Sequence, residues 1–362
     1  MGTTHAHSHD VPGFSPPASN GAHSDRTKRR GPRCGDRRER QGEAVLISVI
    51  IATHNRSVLL ARTLDAIARQ RWPRESMEVI VADNRSTDDT PAVVEAARAA
   101  GLPVRYLFEQ RPGKSHAVNA ALALAQGDLI AFTDDDVQPE AEWLGALAHA
   151  VDQTGVDFVA GRILPIWECP PPDWMSPALH GVLAVPDNGT APQPIAAGTS
   201  GVMPIGANMA VRSDVIAKVG GLRTDLGKLE GSLRTGEDHE FFLRLIHGGY
   251  RGTYEPSALV RHLVPASRLR RGYFARWLFQ NGSDVARVEG SFASPIPRLL
   301  GVPRYMWRRA GTDIVTTVAS LTVGSAERFA SALRVLWFVG YVRESWLGGA
   351  ATKKPTLTAV HR

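Results

Sequence analysis

The run Val45-Leu-Ile-Ser-Val-Ile-Ile-Ala52 constrains the fold more than any other stretch of this 362-residue chain. All of it but Ser48 is apolar, and much of it is β-branched. A strand with one wet face alternates apolar and polar residues, whereas a strand covered on both faces does not. The run therefore predicts a central strand of a parallel sheet. Leu60, Leu64 and Ile67 then share one helical face. A strand is expected at Met77–Ala82, and a helix opens at Thr90-Pro91, where Thr90 can cap and Pro91 suits the first turn. A strand at Val104–Phe108, a helix over about 118–125 and a strand at Leu129–Thr133 follow. Such alternation predicts an α/β fold with a doubly wound, mostly parallel sheet.

Residues 1–43 lack apolar anchors and read as a disordered basic tail, the His5-Ala-His7-Ser-His9 cluster being a solvated segment or an adventitious metal binder. Order is expected over 44–289 as the catalytic domain. Residues 290–362 form a helical extension, with amphipathic helices over 296–347. Residues 263–289 also read as helical. The Pro- and Gly-rich stretch 165–206 is either a substrate lid or a surface connector, and its Trp167 and Trp174 either stack on sugar or anchor the core.

The overall charge of +6 divides unevenly. Residues 1–43 carry 8 Lys/Arg against 5 Asp/Glu, residues 290–362 carry 10 against 3, and the centre carries 24 against 28. A nucleic-acid binder places its basic stripe on the folded domain, so nucleic acid is not expected as a partner. The basic C-terminal segment, with Trp307, Trp337, Phe338, Tyr341 and Trp346, suits either an anionic membrane surface or packing on the catalytic domain. No apolar leader follows Met1 and no run of about 18 apolar residues occurs. Cys34 and Cys169 stand far apart, which argues against a disulfide scaffold. The expected location is cytoplasmic, with peripheral contact to the inner membrane face.

Parallel sheets bind ligands beyond the carboxyl ends of their strands. The first strand ends in Thr53-His54-Asn55-Arg56, without the glycine-rich turn of a dinucleotide fold, and no Walker loop occurs elsewhere. The second ends in Asp83-Asn84-Arg85-Ser86-Thr87-Asp88. Asp83 suits hydroxyl or base recognition, and Asp88 suits turn capping. The fourth ends in Asp134-Asp135-Asp136. Three adjacent carboxylates repel unless a cation intervenes, and Mg²⁺ or Mn²⁺ could bridge them to a diphosphate. A polar loop with a helix cap is the plainer alternative.

Six motifs in this order resemble the family-2 glycosyltransferases: Ser48–Arg56, Val81–Asp88, Gly113-Lys-Ser-His-Ala-Val-Asn119, Asp134–Asp136, Gly206-Ala-Asn-Met-Ala-Val-Arg212 and Gly236-Glu-Asp238. The resemblance spans about Ile47–Gly282. It implies a GT-A fold and an inverting, metal-dependent transfer of a hexosyl-type sugar from a nucleoside-diphosphate sugar to a glycan or lipid-linked acceptor, as in cell-envelope glycan synthesis. By resemblance, Thr53, Asn55, Arg56, Asp83, Lys114, Asn119, Asp134 and Asp135 bind the nucleotide sugar. Asp136 holds the metal, with His262 either a further ligand or a structural histidine. Asp238 is the implied catalytic base, with Glu237 beside it, while Glu240 serves the helix end. Arg268, Arg270 and Arg271 either clamp the diphosphate or face solvent. Two positions depart from the family pattern. Arg85 stands where glycine is common, and Tyr273 replaces the Gln of the Gln-x-x-Arg-Trp motif that ends here in Arg276-Trp277, which argues against a processive polymerase. A sugar-nucleotide pyrophosphorylase would need a basic Gly-rich loop, and a silent sugar-nucleotide-binding scaffold would not need Glu237 and Asp238.

Overall fold

Strand β1 (Ile47–Thr53) is buried on both faces, as the apolar run predicts. In this computed structural model, which describes residues 45–348 apart from 198, 200, 229–231, 293–295 and 320–324, β1 is followed by α1 (Ser57–Ala68), β2 (Met77–Asp83), α2 (Thr90–Ala99), β3 (Val104–Phe108), α3 (Lys114–Leu122) and β4 (Leu129–Asp134). The expected tail at 1–43 lies outside the described residues. β1 pairs in parallel with β2 and β4, and β2 with β3. Val49 and Ile51 pack with Leu60, Leu64 and Ile67, while Ile50 packs on the other face with Ala117, Val118 and Ala121.

The chain continues through β5 (Val137–Pro139), α4 (Trp143–Thr154), β6 (Phe158–Trp167), β7 (Gln193–Ile195), β8 (Asn208–Arg212), α5 (Ser213–Val219), α6 (Glu237–His247) and β9 (Gly252–Val264). The full sheet runs β3-β2-β1-β4-β8-β6-β9-β5, with β7 on β9. The purely parallel block is therefore β3-β2-β1-β4. β8 runs antiparallel to both neighbours, and β6 and β9 are parallel to each other.

Three local readings shift. α3 starts at Lys114, four residues before the expected helix, because its buried Ala117, Val118 and Ala121 begin a turn after its start. The expected helix from 263 starts instead at Arg271, since β9 runs to Val264 and a 3-10 turn covers Ala266–Arg268. Within 165–206, β6 extends to Trp167 and a 3-10 turn spans Pro177–Leu183.

α7 (Arg271–Glu289) is followed by a short hairpin at Arg298–Pro303, then α8 (Arg304–Ala319) and α9 (Ser325–Leu347). α9 lies directly on α7. Trp337 and Tyr341 are buried there, so these two aromatics are core rather than surface. The helices meet backbone to backbone: a Cβ on Gly282 would sit on the Trp337 carbonyl, and one on Gly340 on the Phe279 carbonyl. Ser283 Oγ donates to the Gly340 carbonyl at 2.9 Å, and Tyr341 OH to Glu289 at 2.7 Å. Trp174 packs edge-on between Phe274 and Phe329, and Trp167 against His180, so both rest partly buried against the core.

Gly340→Ala should force α7 and α9 apart and cost about 1–3 kcal/mol in urea unfolding. Gly311→Ala on α8, where an added Cβ meets nothing, should be neutral or slightly stabilising.

Candidate active site

The carboxyl ends of β1 and β4 open into a cleft of about 650 Å³, closed on the far side by the start of α6 and by α7. Each carboxylate of Asp134–Asp136 meets a cationic side chain, Arg56 being shared by two of them. Lys114 Nζ donates to Asp134 at 2.7 Å. Arg56 Nη1 bridges Asp135 and Asp136 at 2.9 Å each. Thr53 Oγ1 donates to Asp135 at 2.8 Å. The antiparallel pairing of β5 with β9 sets Val137 opposite His262, so His262 Nε2 lies 3.1 Å from Asp136 Oδ1. Arg268 stands 3.8 Å from the other oxygen.

These contacts divide the charges. Burial, and then the charge of Asp136, push Asp135 up to about 6 against the pull of Arg56. Burial would raise Asp136 too, but hydrogen bonding and charge from His262, then Arg56 and Arg268, hold it well below the usual range. Burial opposes the Lys114 charge, yet Asp134, Asp238 and Glu237 together keep its pKa above the ordinary value. Lys114 thus links the acidic strand end to the acidic helix start.

Beyond the ends of β1 and β2, Asn55 and Arg85 line the cleft in left-handed conformations, with φ of 52° and 69°. Asn55 Oδ1 accepts from the Thr87 amide at 2.7 Å, and its own amide donates to Ser86 Oγ at 2.9 Å. Arg85 therefore occupies the conformation that glycine adopts without strain. Two expected binding residues, Asp83 and Asn119, are not among those lining the cleft. Asp83 is fully buried, off the cleft wall, accepting from the Ser86 amide at 2.8 Å and Tyr106 OH at 2.7 Å. Asn119 gives both ends of its amide to the Leu222 backbone at 2.7 Å and ties α3 to the loop after α5. Asp88 accepts from the Ser57 and Thr90 amides, the capping role expected of it.

On the opposite side, Gly236 (φ 106°) turns the chain into α6. Asp238 lines the cleft, and its Oδ2 accepts from the Gly206 amide at 3.0 Å. A Cβ on Gly206 would strike this carboxylate, which explains a glycine at that position. Glu237 is 5% exposed. Burial, then the charge of Asp238, push it up to about 7 against Lys114. It is thus suited to hold a proton beside Asp238. Glu240 pairs with Arg244 at 3.0 Å within the helix.

Several residues here carried no sequence signal. Asp284, almost wholly buried on α7, accepts from the Thr235 amide at 2.8 Å and from Gln280 at 3.1 Å. Asn281 reaches Thr235 Oγ1 at 3.4 Å and accepts from the Trp337 indole at 2.9 Å. A chain of contacts therefore runs from α9 through α7 to the turn that presents Glu237 and Asp238. Lys228 and His239 also line the cleft, and burial lowers the His239 pKa to about 4. Lone polar residues inside helices or irregular loops reveal such roles only once the partners are in place.

Comparison with known proteins places this architecture. Residues 48–220 match the family described as Glycosyl transferase family 2. Succinoglycan biosynthesis protein ExoM of Rhizobium meliloti is 29% identical over 251 residues, 68% of this chain and 76% of that protein. Glycosyltransferase AglE of Haloferax volcanii is 26% identical over 293 residues, 74% of this chain and 87% of the relative. The fold resembles that of the mannosyltransferase PcManGT from Pyrobaculum calidifontis, solved with GDP-Man and Mn²⁺, at a TM-score of 0.58 and 22% identity over 84% of this chain and 88% of that one. The matched segment is a family-2 glycosyltransferase domain, and the chain has the GT-A fold. It is a glycosyltransferase.

The raised Glu237 pKa has a measurable consequence. Its unfolded value is 4.5, so its contribution to stability is complete below that pH and is lost as pH rises through about 7. Glu237→Gln, which cannot ionise, should melt above the wild type at pH higher than about 7, and the gap should close below pH 4.5. Thermal unfolding across a pH series measures this.

Proposed function

We propose that the chain moves a sugar from a nucleoside-diphosphate sugar to an acceptor hydroxyl with inversion at the anomeric carbon, one transfer per encounter, aided by a divalent cation. The observation that carries this reading is that Asp136 and Asp238 line one cleft from different elements, with Lys114 between their groups. A donor whose diphosphate lies at Asp134–Asp136 would turn its anomeric carbon toward Asp238. Asp238, more exposed than Glu237 and held by the Gly206 amide, is then placed to take the acceptor proton. Attack from that side, opposite the leaving diphosphate, inverts the carbon. Arg56, Arg268, Lys114 and Lys228 supply positive charge for the diphosphate.

Among the described residues no group of three His, Cys, Asp or Glu converges as a metal site. Asp136 and His262 nonetheless provide an adjacent carboxylate and imidazole, and His262 Nδ1 is buried without a hydrogen-bond partner. Two protein donors suit Mg²⁺ or Mn²⁺, which take their remaining oxygens from diphosphate and water. When bound, the ion neutralises charge on the departing diphosphate. The nucleotide sugar and Mn²⁺ bound by PcManGT agree with this donor class.

Tyr273 in place of the glutamine of the processive motif supports single transfers. No helix of the described residues is long and apolar enough to cross a membrane. A cytoplasmic enzyme with peripheral contact to the inner membrane face, acting on a glycan or lipid-linked acceptor in envelope glycan synthesis, fits the basic C-terminal segment and the naming of ExoM. The catalytic unit is taken as 44–289 with 290–362 as its helical extension.

A panel of nucleotide sugars with Mn²⁺ tests the reading through two variants. Asp238→Asn should lower transfer by about a hundredfold or more, with donor affinity within a few-fold of wild type by calorimetry. Asp136→Ala should lose both transfer and Mn²⁺-dependent donor binding. NMR of the product from an α-linked donor should show a β linkage. An α-linked product, an active Asp238→Asn enzyme or full activity in EDTA would overturn the corresponding part.

A further inference from the structure

We infer that the hairpin Arg298–Pro303, together with the start of α8 and the end of α9, is a docking face for an anionic lipid bilayer. The inference rests on the peripheral membrane contact proposed above and assigns it to particular residues. Leu299 and Leu300 form the hairpin tip and are 51% and 66% exposed. Leu300 sits at φ 51°, a conformation unfavourable for a residue with its bulk.

The tip is held outward by two tryptophans. The Trp307 indole donates to the Leu299 carbonyl at 3.1 Å, and the Trp346 indole to the Leu300 carbonyl at 2.8 Å. The two indoles lie 6.3 Å apart and tie the tip to both C-terminal helices. Trp346, Leu347 and Tyr305 are themselves exposed beside it. Rings with one apolar body and one satisfied polar edge are at home where water meets hydrocarbon.

The surrounding charge selects the partner. Arg298, Arg304, Arg308 and Arg343 are exposed, and the last three make no ion pair among the described residues. Arg343, Trp346 and Leu347 share one helical face by their spacing. A protein partner with an apolar patch would need matching carboxylates. An anionic bilayer offers negative charge at the headgroups and hydrocarbon just below, the same order as arginines around an apolar tip. The face would lie on the bilayer and not span it.

Flotation of the full-length protein with vesicles tests the assignment. Mixed phosphatidylglycerol and phosphatidylcholine vesicles should bind it at low salt, whereas pure phosphatidylcholine should not. Leu299→Gln with Leu300→Asn keeps a residue tolerant of the left-handed conformation at the tip, and should reduce binding about tenfold with an unchanged melting temperature. Arg304→Gln with Arg308→Gln and Arg343→Gln should remove most of the salt-sensitive binding. If the wild type binds neither vesicle, both this inference and the peripheral reading fail. If it binds and the tip and arginine variants bind equally well, only the assignment to this face fails. A wild-type dimer in sedimentation that the tip variant dissolves, without vesicle binding, would give the face to a second copy instead.

Discussion

The bridge from one Arg56 guanidinium nitrogen to both Asp135 and Asp136 is the contact on which the cleft depends. Three adjacent carboxylates at the end of a buried strand would otherwise splay or demand protons. Arg56 reaches them because it follows β1 by a short turn, and β1 and β4 are parallel neighbours that end side by side. Its pKa is raised because Asp135 and Asp136 outweigh its own burial. The same logic recurs at Lys114, which neutralises Asp134 and feels the Glu237–Asp238 pair. The cleft is thus a lattice of alternating charges, and a diphosphate would compete for its cations rather than meet them idle.

α7 connects this lattice to the rest of the molecule. One side of it presents Tyr273, Trp277 and Asn281 to the cleft, and another receives α9 at Gly282. Asp284 and Asn281 then hold Thr235, immediately before the turn that presents Asp238. The C-terminal helices therefore help build the wall of the cleft, although they lie outside the matched family region. The alternative of helices packed on the catalytic domain is met by Trp337 and Tyr341. The hairpin tip and Trp346 keep the exposed aromatic and apolar character.

Much of this was readable from sequence wherever the signal was local. Buried parallel strands appear as unbroken apolar runs, and cleft residues such as Thr53, Arg56 and Asp134–Asp136 follow those runs directly. Glu237 and Asp238 were visible because an acidic pair follows glycine at a helix start. The direction of a side chain was less visible. Asp83 stands at a strand end like Asp134, yet Tyr106 on β3 draws its carboxylate into the interior. Asn119 sits in a recognisable motif, but the distant Leu222 backbone claims it. Asp284 is unremarkable in sequence because its role depends on a loop 49 residues earlier. Aromatics at helical spacing did not separate Trp337, in the core, from Trp346, at the surface.

The glycine contact between α7 and α9 also bears on how such a chain can be recombined. A seam where two backbones touch has no side-chain layer to absorb a foreign partner. A graft that exchanged acceptor preference by swapping residues after Glu289 would have to import a helix with glycine at the level of Phe279 and an indole within reach of Asn281. A cut at that boundary would bare the Gly282 face and release the link to Thr235. For engineering or evolutionary exchange, the transferable unit runs through α9, with its last helix functioning as a keystone rather than an appendage.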